Sequence, residues 1–292
     1  MLIDFRIQPP YKSYLGIYFF RPRPAVEDPV RGNSFSTGRR PSASFEQQSL
    51  ELFVQEMDEA GIDLAVIMGQ RCAPRYGSVD NGDIVELLHR YPERFVGYAG
   101  IDPLEVGAVD EIGRRVEQGC RGIAIEPGWS EPSVPDDDER VYPVYEAANA
   151  LGIPVMITSS HFIGPDMSYS MPVHIQHVAL DFPDLTIIVG HGCWPWTAQA
   201  CALAMRCTNV YLMPEFYMYL PNMPGADDYV KAANGFLSYR MLYSSCYPSR
   251  GLEQSLEDFR ALPIHPEAQQ RLLGGNAARL LGLPAPVEAS QR

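Results

Sequence analysis

Short apolar runs alternate along the chain with longer segments in which apolar residues recur at helical spacing. The runs are apolar at neighbouring positions, which is typical of strands in a parallel sheet that is covered on both faces. The pattern therefore predicts buried parallel strands separated by helices. The predicted strands are Leu2–Phe5, Leu64–Gly69, Phe95–Ile101, Gly122–Glu126, Pro154–Thr158, Leu185–Gly190, Val210–Met213 and Met241–Ser244.

The helical segments fill the intervals between these runs. Ser44 and Gln47 have the spacing of a capping box, and Gly61 predicts the end of the helix that follows. Eight strand–helix alternations predict the α/β class and a single (β/α)8 TIM barrel over residues 1–283, with a tail at 284–292. Further predicted helices are Asp83–Arg90, Val109–Gln118, Val144–Leu151, Pro172–Leu180, Thr197–Met205, Asp227–Leu237, Leu252–Ala261 and Pro266–Leu281.

The segment Pro9–Ala43 interrupts this rhythm directly after the first strand. It is rich in proline, arginine and aromatic residues, and the barrel prediction places it at the catalytic end. A lid, an oligomer contact and an irregular surface loop are alternative interpretations of this insert. A second irregular stretch, Asp136–Glu139, is predicted to be a solvated turn because like charges repel each other and stay hydrated.

Composition narrows the class of partner. The chain has 292 residues, of which 46% are hydrophobic, and a formal net charge of −13, which argues against nucleic-acid binding. Its six cysteines include no Cys-x-x-Cys pair, which favours reduced thiols over a disulfide framework. The charged start, Met1–Pro10, does not have a secretory apolar region, and no apolar stretch approaches the about 20 residues of a membrane span. We therefore expect a soluble, cytoplasmic protein with neither a nucleic acid nor a membrane as partner.

Barrel enzymes carry their reactive groups at the carboxyl ends of the strands and in the loops that follow. This rule selects the polar and aromatic residues that come directly after each predicted strand. They are Arg6, Gln8, Arg71, Cys72, Asp102, Glu126, Thr158, Ser159, Ser160, His161, His191, Trp194, Trp196, Glu215, Tyr217, Cys246 and Tyr247.

Several segments spread over nearly the whole chain resemble one enzyme family. They are Ile3-Asp4, Gly152-Ile-Pro-Val155, Asp181-Phe-Pro-Asp-Leu185, Ile188-Val-Gly-His-Gly192, Trp194-Pro-Trp196, Ser244-Ser-Cys-Tyr-Pro248 and Gly275-Asn-Ala-Ala278. The chain resembles the amidohydrolase superfamily, in the amidohydrolase-related branch that includes aminocarboxymuconate-semialdehyde-decarboxylase-like enzymes. The resemblance implies hydrolysis of an amide, ester or lactone, or loss of CO₂ from an aromatic or unsaturated acid. It also implies a homo-oligomer.

The resemblance breaks down at the metal ligands. Relatives usually follow the first strand with Asp-x-His-x-His, whereas Arg6 and Gln8 occupy the two histidine positions here. A histidine of the fifth strand is replaced by Thr158 and an aspartate of the eighth by Cys246, while His191 is kept. Arginine does not deprotonate in proteins and cannot bind a metal. We therefore expect no cofactor; the alternative is a rebuilt zinc site of His191, Cys246, His161 and Glu126.

The candidate catalytic residues each have two interpretations. His191 is a general acid or base, or a structural histidine. Arg6 clamps a substrate carboxylate, pairs internally with Glu126 or Glu215, or does both. Glu126 is a general base with a pKa set by burial, or an ion-pair partner of Arg6 or Arg71. Cys246 is a nucleophile activated by His191, or a buried and inert thiol.

The remaining strand-end residues are predicted to contact the substrate. They are Gln8, Arg71, Thr158, His161, Trp194, Glu215, Tyr217 and Tyr247. The leading prediction is metal-independent hydrolysis of an amide, ester or lactone of a small carboxylate-bearing molecule. A decarboxylase and a catalytically inactive barrel that binds a metabolite are the alternatives.

Overall fold

Seven parallel strands lie side by side in sequence order in the computed structural model, which describes residues 1–21, 40 and 42–284. Every predicted strand of this set is present, with ends that shift by a few residues because strand ends are set by tertiary hydrogen bonds. The strands are β1 (Ile3–Ile7), β2 (Leu64–Met68), β3 (Phe95–Gly100), β4 (Gly122–Ile125), β5 (Val155–Ser160), β6 (Ile187–Trp194) and β7 (Val210–Met213).

The eighth predicted strand closes the ring without forming a regular strand. Leu212 of β7 and Met241 form an isolated parallel bridge, and Leu242 N donates to Leu212 O at 2.9 Å. On the other side, Phe5 N of β1 donates to Tyr243 O at 3.0 Å. The segment 241–244 therefore joins the two edges of the sheet. The (β/α)8 fold is confirmed, and the eighth strand is reduced to a bridge.

Helices surround the sheet at nearly all of the predicted positions. They are α1 (Ala43–Glu46), α2 (Leu50–Ala60), α3 (Asn81–Arg90), α4 (Ala108–Glu117), α5 (Tyr142–Leu151), α6 (Pro172–Asp181), α7 (Thr197–Arg206), α8 (Phe216–Tyr219), α9 (Ala226–Ala233), α10 (Leu252–Arg260), α11 (Pro266–Gln270) and α12 (Asn276–Leu280). A π-helical turn, Arg271–Gly275, joins the last two. No helix of the described residues combines the length and the hydropathy needed to cross a bilayer.

The predicted capping box is wrong. Gln48 has a positive φ of 49°, which separates α1 from α2, so that Ser44 belongs to the shorter helix. Ser49 caps α2 instead, because its hydroxyl accepts a hydrogen bond from Leu52 N at 3.3 Å. The predicted helix end at Gly61 is confirmed by its left-handed φ of 71°.

Part of the insert after β1 packs against the barrel. Tyr14 and Ile17 are fully buried in the outer core, and Tyr18 N donates to Tyr76 O at 2.9 Å. An irregular surface loop is therefore the wrong description for residues 9–21. Residues 22–39 and 41 lie outside the described residues, and the roles as a lid or an oligomer contact stay predictions.

The acidic stretch 136–139 is not wholly solvated. Asp136 is 2% exposed, and burial raises its pKa well above the ordinary value, with the charge of Asp137 adding to the effect. Asp137 instead contacts two histidines of α6, His174 at 2.7 Å and His177 at 2.6 Å. The prediction of a solvated turn is wrong for Asp136, because its loop folds back against α5, where Tyr145 donates to the Asp136 carbonyl.

The glycines that end β2 and β3 allow the two strands to approach closely at the mouth of the barrel. A Cβ at Gly69 would lie 2.2 Å from Gly100 N, and a Cβ at Gly100 would lie 2.6 Å from Gln70 N. Neither clash can be relieved by rotating a side chain, because the atoms met belong to the backbone. These glycines fix the position of Gln70.

Gly100→Ala is therefore expected to lower the free energy of unfolding by about 1–3 kcal/mol, the usual cost of overpacking. Chemical denaturation of the variant and the wild type measures the difference. Gly113→Ala is the matched control, because Gly113 lies inside α4 with open space around it. That change should stabilise by about 0.5–1 kcal/mol. Equal stabilities for both variants would contradict the close approach.

Candidate active site

A β-bulge in β1 brings Arg6 into the barrel mouth. Asp4 pairs with Ala65, but Ile7 pairs with Ile67, so β1 has one extra residue opposite β2. Strict alternation would place Arg6 on the opposite face from the inward-facing residues Ile3 and Phe5. The bulge changes the alternation, as bulges beside active sites commonly do, and turns the guanidinium towards the centre.

The bulge is held by a buried carboxylate. Asp4 Oδ1 accepts hydrogen bonds from Ser245 N at 3.0 Å and from Arg6 N at 3.4 Å. Burial raises the pKa of Asp4 to about 6, although these hydrogen bonds lower it. Asp4 thus connects the irregular part of β1 to the loop that carries Cys246.

Three further site residues have a left-handed backbone. The φ values of His191, Glu215 and Cys246 are 61°, 58° and 58°. His191 directly follows the last residue of β6 that pairs with β7, Glu215 lies two residues after β7, and Cys246 lies two residues after the bridging segment. Each conformation costs a residue with a Cβ on the order of 1–3 kcal/mol. Strain repeated at three neighbouring strand ends is typical of a functional site, because the fold must hold side chains in one place.

These backbone turns gather the charged side chains into one buried cluster. Arg6 Nη1 lies 2.9 Å from Cys246 Sγ and 3.4 Å from Glu215 Oε1. His191 Nδ1 lies 2.5 Å from Glu215 Oε2, at an angle that is poor for a hydrogen bond. The predicted ion pair of Arg6 is therefore present, and its partner is Glu215. The exposed fraction of all four residues is 3% or less.

The charges within this cluster can be assigned. Burial opposes the ionisation of Glu215, but Arg6 and His191 outweigh it, so that the pKa of Glu215 is lowered and the carboxylate is ionised. Burial lowers the pKa of His191, with Arg6 adding to the effect, although Glu215 partly opposes it. At neutral pH the cluster therefore contains an Arg6–Glu215 ion pair beside a neutral imidazole.

Glu126 is not part of that ion pair, and its carboxyl group keeps a proton more readily than that of Glu215. Its oxygens accept hydrogen bonds from Thr158 Oγ1 at 3.2 Å and from Cys72 Sγ at 3.4 Å. Burial raises the pKa of Glu126 to about 7, although the charge of Arg6 lowers it. At neutral pH this carboxyl group is shared between its acid and base forms, which is the property of a general acid or base.

Cys246 does not have the properties of an activated nucleophile. Burial raises the pKa of its thiol well above the ordinary value, and the Glu215 carboxylate raises it further, while Arg6 opposes both. The neutral thiol accepts a hydrogen bond from Arg6 Nη1. A raised thiol pKa disfavours the thiolate form, and the two interpretations of Cys246, as a nucleophile and as an inert thiol, stay predictions.

Gln8 has a defined orientation because it pairs with a second glutamine. Gln70 Nε2 donates to the carbonyls of Tyr76 and Gly77, both at 3.1 Å, so Gln70 Oε1 must face Gln8. Gln8 Nε2 donates to that oxygen at 3.2 Å. The carbonyl oxygen of Gln8 is thereby left to accept a hydrogen bond from a ligand. Gln70 was not among the residues predicted from the sequence, although it lies only two residues after β2.

An aromatic layer covers the charged cluster. Tyr217 lies 5.5 Å from the His191 ring and stacks on Trp194 at 5.1 Å, and its hydroxyl lies 3.2 Å from His161 Nδ1. Burial lowers the pKa of His161, and His191 lowers it further. The structure thus places the predicted wall residues beside the cluster. It adds Phe162, whose ring lies 5.7 Å from that of His191.

Phe162 belongs to a second stack that the sequence analysis missed. Trp129 stacks on Phe162 at 5.9 Å and on Tyr76 at 4.4 Å, and its indole donates to the Phe162 carbonyl at 3.0 Å. Trp129 ends the short 3₁₀ turn Pro127–Trp129 that follows β4, and Phe162 lies two residues after β5. No periodic pattern in the sequence distinguishes these residues from the other aromatic residues between the predicted strands and helices.

Three predicted site residues make their contacts away from the cluster. Arg71 is partly exposed and pairs with Glu105, beside a surface cavity of about 220 Å³. The Tyr247 hydroxyl contacts Ser44 at 2.8 Å and its ring packs on Phe53 at 4.7 Å, so this side chain belongs to the packing of the outer helices. The contacts of Arg71 and Tyr247 give no support to substrate binding. Trp196 Nε1 donates to Met167 O at 3.4 Å, at the periphery.

A parallel barrel that gathers an ion pair, an imidazole and a proton-sharing carboxyl group at its strand ends has the architecture of a barrel enzyme. The chain belongs to the amidohydrolase family, whose model matches residues 41–283. It is therefore an enzyme of the amidohydrolase superfamily. The prediction of the family is confirmed.

Solved structures agree with this assignment. An uncharacterized TIM-barrel protein from Bordetella bronchiseptica is 37% identical, with 96% of this chain and 98% of that chain covered and a TM-score of 0.87. 2,6-Dihydroxybenzoate decarboxylase from Rhizobium is 14% identical, with 96% and 98% covered and a TM-score of 0.67. A probable 2-pyrone-4,6-dicarboxylic acid hydrolase from Acinetobacter baumannii is 12% identical, with 97% and 99% covered and a TM-score of 0.63. The last two share the fold alone. No curated protein matches the chain.

Proposed function

We propose that this enzyme removes CO₂ from a small carboxylic acid without a bound metal. The observation that carries the proposal is the buried Arg6 guanidinium, which pairs with the ionised Glu215 and whose charge acts on the proton-sharing Glu126. A buried cation binds a carboxylate, and a neutral acid near it can supply the proton that decarboxylation needs.

Arg6 is proposed to bind the substrate carboxylate through Nη2. Nη1 is already engaged by Cys246 and Glu215, and Nε is buried without a partner among the described residues. Nη2 makes no hydrogen bond within the described part of the chain and is not among its enclosed atoms. A charge-assisted hydrogen bond from this nitrogen would position the carboxylate.

Glu126 is proposed as the proton donor. As the bond between the carboxylate carbon and its neighbour breaks, the electron pair of that bond takes the Glu126 proton and forms a C–H bond. CO₂ leaves, and the Glu126 carboxylate regains a proton from solvent. The sequence suggested His191 as the general acid or base, but both nitrogens of His191 are enclosed, and its proposed role is to hold Glu215.

The charge that a metal would supply is proposed to come from Arg6. His191, Glu215 and Cys246 offer ligand atoms that all lie within 4.8 Å of one another. Arg6 Nη1 contacts two of the three, and its fixed positive charge would oppose a second cation in the same place. The residues present therefore fit a divalent metal poorly, and the proposed mechanism uses none.

One feature favours decarboxylation over the hydrolysis that the sequence suggested first. Both nitrogens of His191, the base that would activate water, are enclosed, whereas hydrolysis requires a water molecule next to an accessible base. The decarboxylase and the hydrolase that share the fold both bear the names of carboxylic acids, which supports recognition of a carboxylate.

The proposal is tested by incubating the enzyme in D₂O with a panel of aromatic and unsaturated carboxylic acids, together with esters and lactones. We expect CO₂ release and a product with one deuteron on the carbon that lost the carboxylate. Release of an alcohol or an opened lactone without CO₂ would establish hydrolysis and overturn the proposal. Heat-denatured enzyme is the control for spontaneous loss of CO₂.

A further inference from the structure

The Gln8–Gln70 pair determines which hydrogen-bonding group the site presents beside Arg6. Amide nitrogen and oxygen have the same shape, so their order must be read from partners whose roles are fixed. Backbone carbonyls can only accept, and two of them, those of Tyr76 and Gly77, surround Gln70 Nε2. These two carbonyls fix the orientation of the Gln70 amide, and the orientation of the Gln8 amide follows from it.

Rotating either amide by 180° would be costly. A rotated Gln70 would point its oxygen at two carbonyl oxygens, and a rotated Gln8 would point its oxygen at Gln70 Oε1. Gln70 is itself fully buried, and its backbone is fixed by the close approach of Gly69 and Gly100. A buried acceptor without a donor costs about 1–3 kcal/mol, so one orientation is strongly favoured.

The Gln8 oxygen lies on the same side of β1 as the guanidinium. Ile7 packs outward among the helices, and Arg6 and Gln8 flank it on the side of the barrel mouth. Among the described residues, no donor reaches Gln8 Oε1, and this oxygen is not one of the enclosed atoms. The mouth therefore offers a donor at Arg6 Nη2 and an acceptor at Gln8 Oε1, two residues apart.

We propose that Gln8 is a specificity-determining residue that accepts a hydrogen bond from a hydroxyl or amino group of the substrate, and that Gln70 is the residue that positions it. The proposal rests on the proposed function, because it assumes that Arg6 binds the carboxylate. The substrate class is then a carboxylic acid that bears a hydrogen-bond donor at a fixed distance from its carboxylate.

The test is calorimetric binding of ring-substituted benzoates to the intact protein. Each hydroxy or amino acid is compared with the acid that has a methyl group at the same ring position, since methyl matches the size but cannot donate. For one ring position we expect wild-type protein to prefer the donor by about 3- to 10-fold, which is the value of one neutral hydrogen bond. The other ring positions should show no preference.

Two variants assign the preference to the glutamine pair. Gln8→Met should abolish the preference while leaving the affinity for the methyl acid unchanged. Gln70→Met should reduce the preference without abolishing it, because the Gln8 amide is then free to rotate. Gln55→Met is the control, since Gln55 lies on α2 and pairs with Glu59 at an exposed site.

The outcomes separate this proposal from the proposed function. If acids bind but hydroxyl and methyl substituents are never distinguished, or if Gln8→Met keeps the preference, the role of Gln8 is overturned while the Arg6 clamp stands. If no acid of the series binds, both are overturned. A reduced preference in Gln70→Met, with unchanged affinity for the methyl acid, identifies positioning rather than a general loss of structure.

Discussion

Arg6→Ala is expected to weaken carboxylate binding by about 10- to 100-fold, the value of a charge-assisted hydrogen bond. It should also lower the free energy of unfolding by about 3–5 kcal/mol, because Glu215 keeps its buried charge without its guanidinium partner. Titration calorimetry with a bound acid and chemical denaturation measure the two effects. They are the largest changes in affinity and in stability that we expect from a single substitution in this site.

Two comparisons separate the role of Arg6 in binding from its role in folding. Arg6→Lys keeps the positive charge but loses the planar guanidinium. We therefore expect it to lower the free energy of unfolding less than Arg6→Ala does, while still weakening carboxylate binding. Arg140→Ala removes an exposed arginine that pairs with Asp138, and it should change neither quantity. Unchanged carboxylate affinity in a folded Arg6→Ala protein would contradict the clamp.

Arg6→Ala also tests whether the wild-type site binds no metal. Without Arg6, the side chains of His191, Glu215 and Cys246 form a three-ligand set of the kind that zinc accepts. Elemental mass spectrometry of protein purified without chelators should find stoichiometric zinc in Arg6→Ala after exposure to zinc, and not in the wild type. Stoichiometric metal in the wild type would refute the metal-free mechanism.

Glu126→Gln is expected to lower kcat by about 10²- to 10⁴-fold, the usual contribution of a general acid. The amide keeps the shape of the side chain and can still accept from Thr158, but it has no acidic proton to give. Substrate affinity should change little, because Arg6 is intact. Steady-state kinetics separates the two quantities, and Glu139→Gln, at an exposed position, is the control.

The pH dependence follows from the same carboxyl group. Burial raises the pKa of Glu126 to about 7, and the mechanism uses its protonated form. The rate should therefore be highest below pH 7 and fall as the pH rises through about 7. This fall should be absent from the residual activity of Glu126→Gln. A wild-type rate that increases with pH would indicate a base rather than an acid.

The sequence predicted which residues come together but not how they act. Arg6, His191, Glu126 and Glu215 follow from the rule that barrel strands end at one face, and all four lie in or beside the cluster. Their protonation states could not be predicted, because these depend on burial and on neighbours from distant strands. We propose Glu126 as the acid, whereas the sequence suggested His191 as the general acid or base and Glu126 as a base.

The roles of other residues that follow the strands were harder to predict. Tyr247 follows the last strand, as the rule requires, yet its ring packs among the outer helices. Trp129 and Phe162 follow β4 and β5, and only the folded chain shows that they stack above the site. Loop conformation depends on many weak tertiary contacts, which leave no periodic signal in the sequence.

The sequence by itself determined the barrel, because alternation of apolar runs and helical segments is a local property that one fold class satisfies. It also determined the family and the loss of the usual metal ligands. Only the tertiary structure decided the site. The bulge in β1, the left-handed turns at His191, Glu215 and Cys246, and the glutamine pair depend on contacts between strands far apart in sequence. Those contacts determine which polar atoms are enclosed and which are accessible to a ligand.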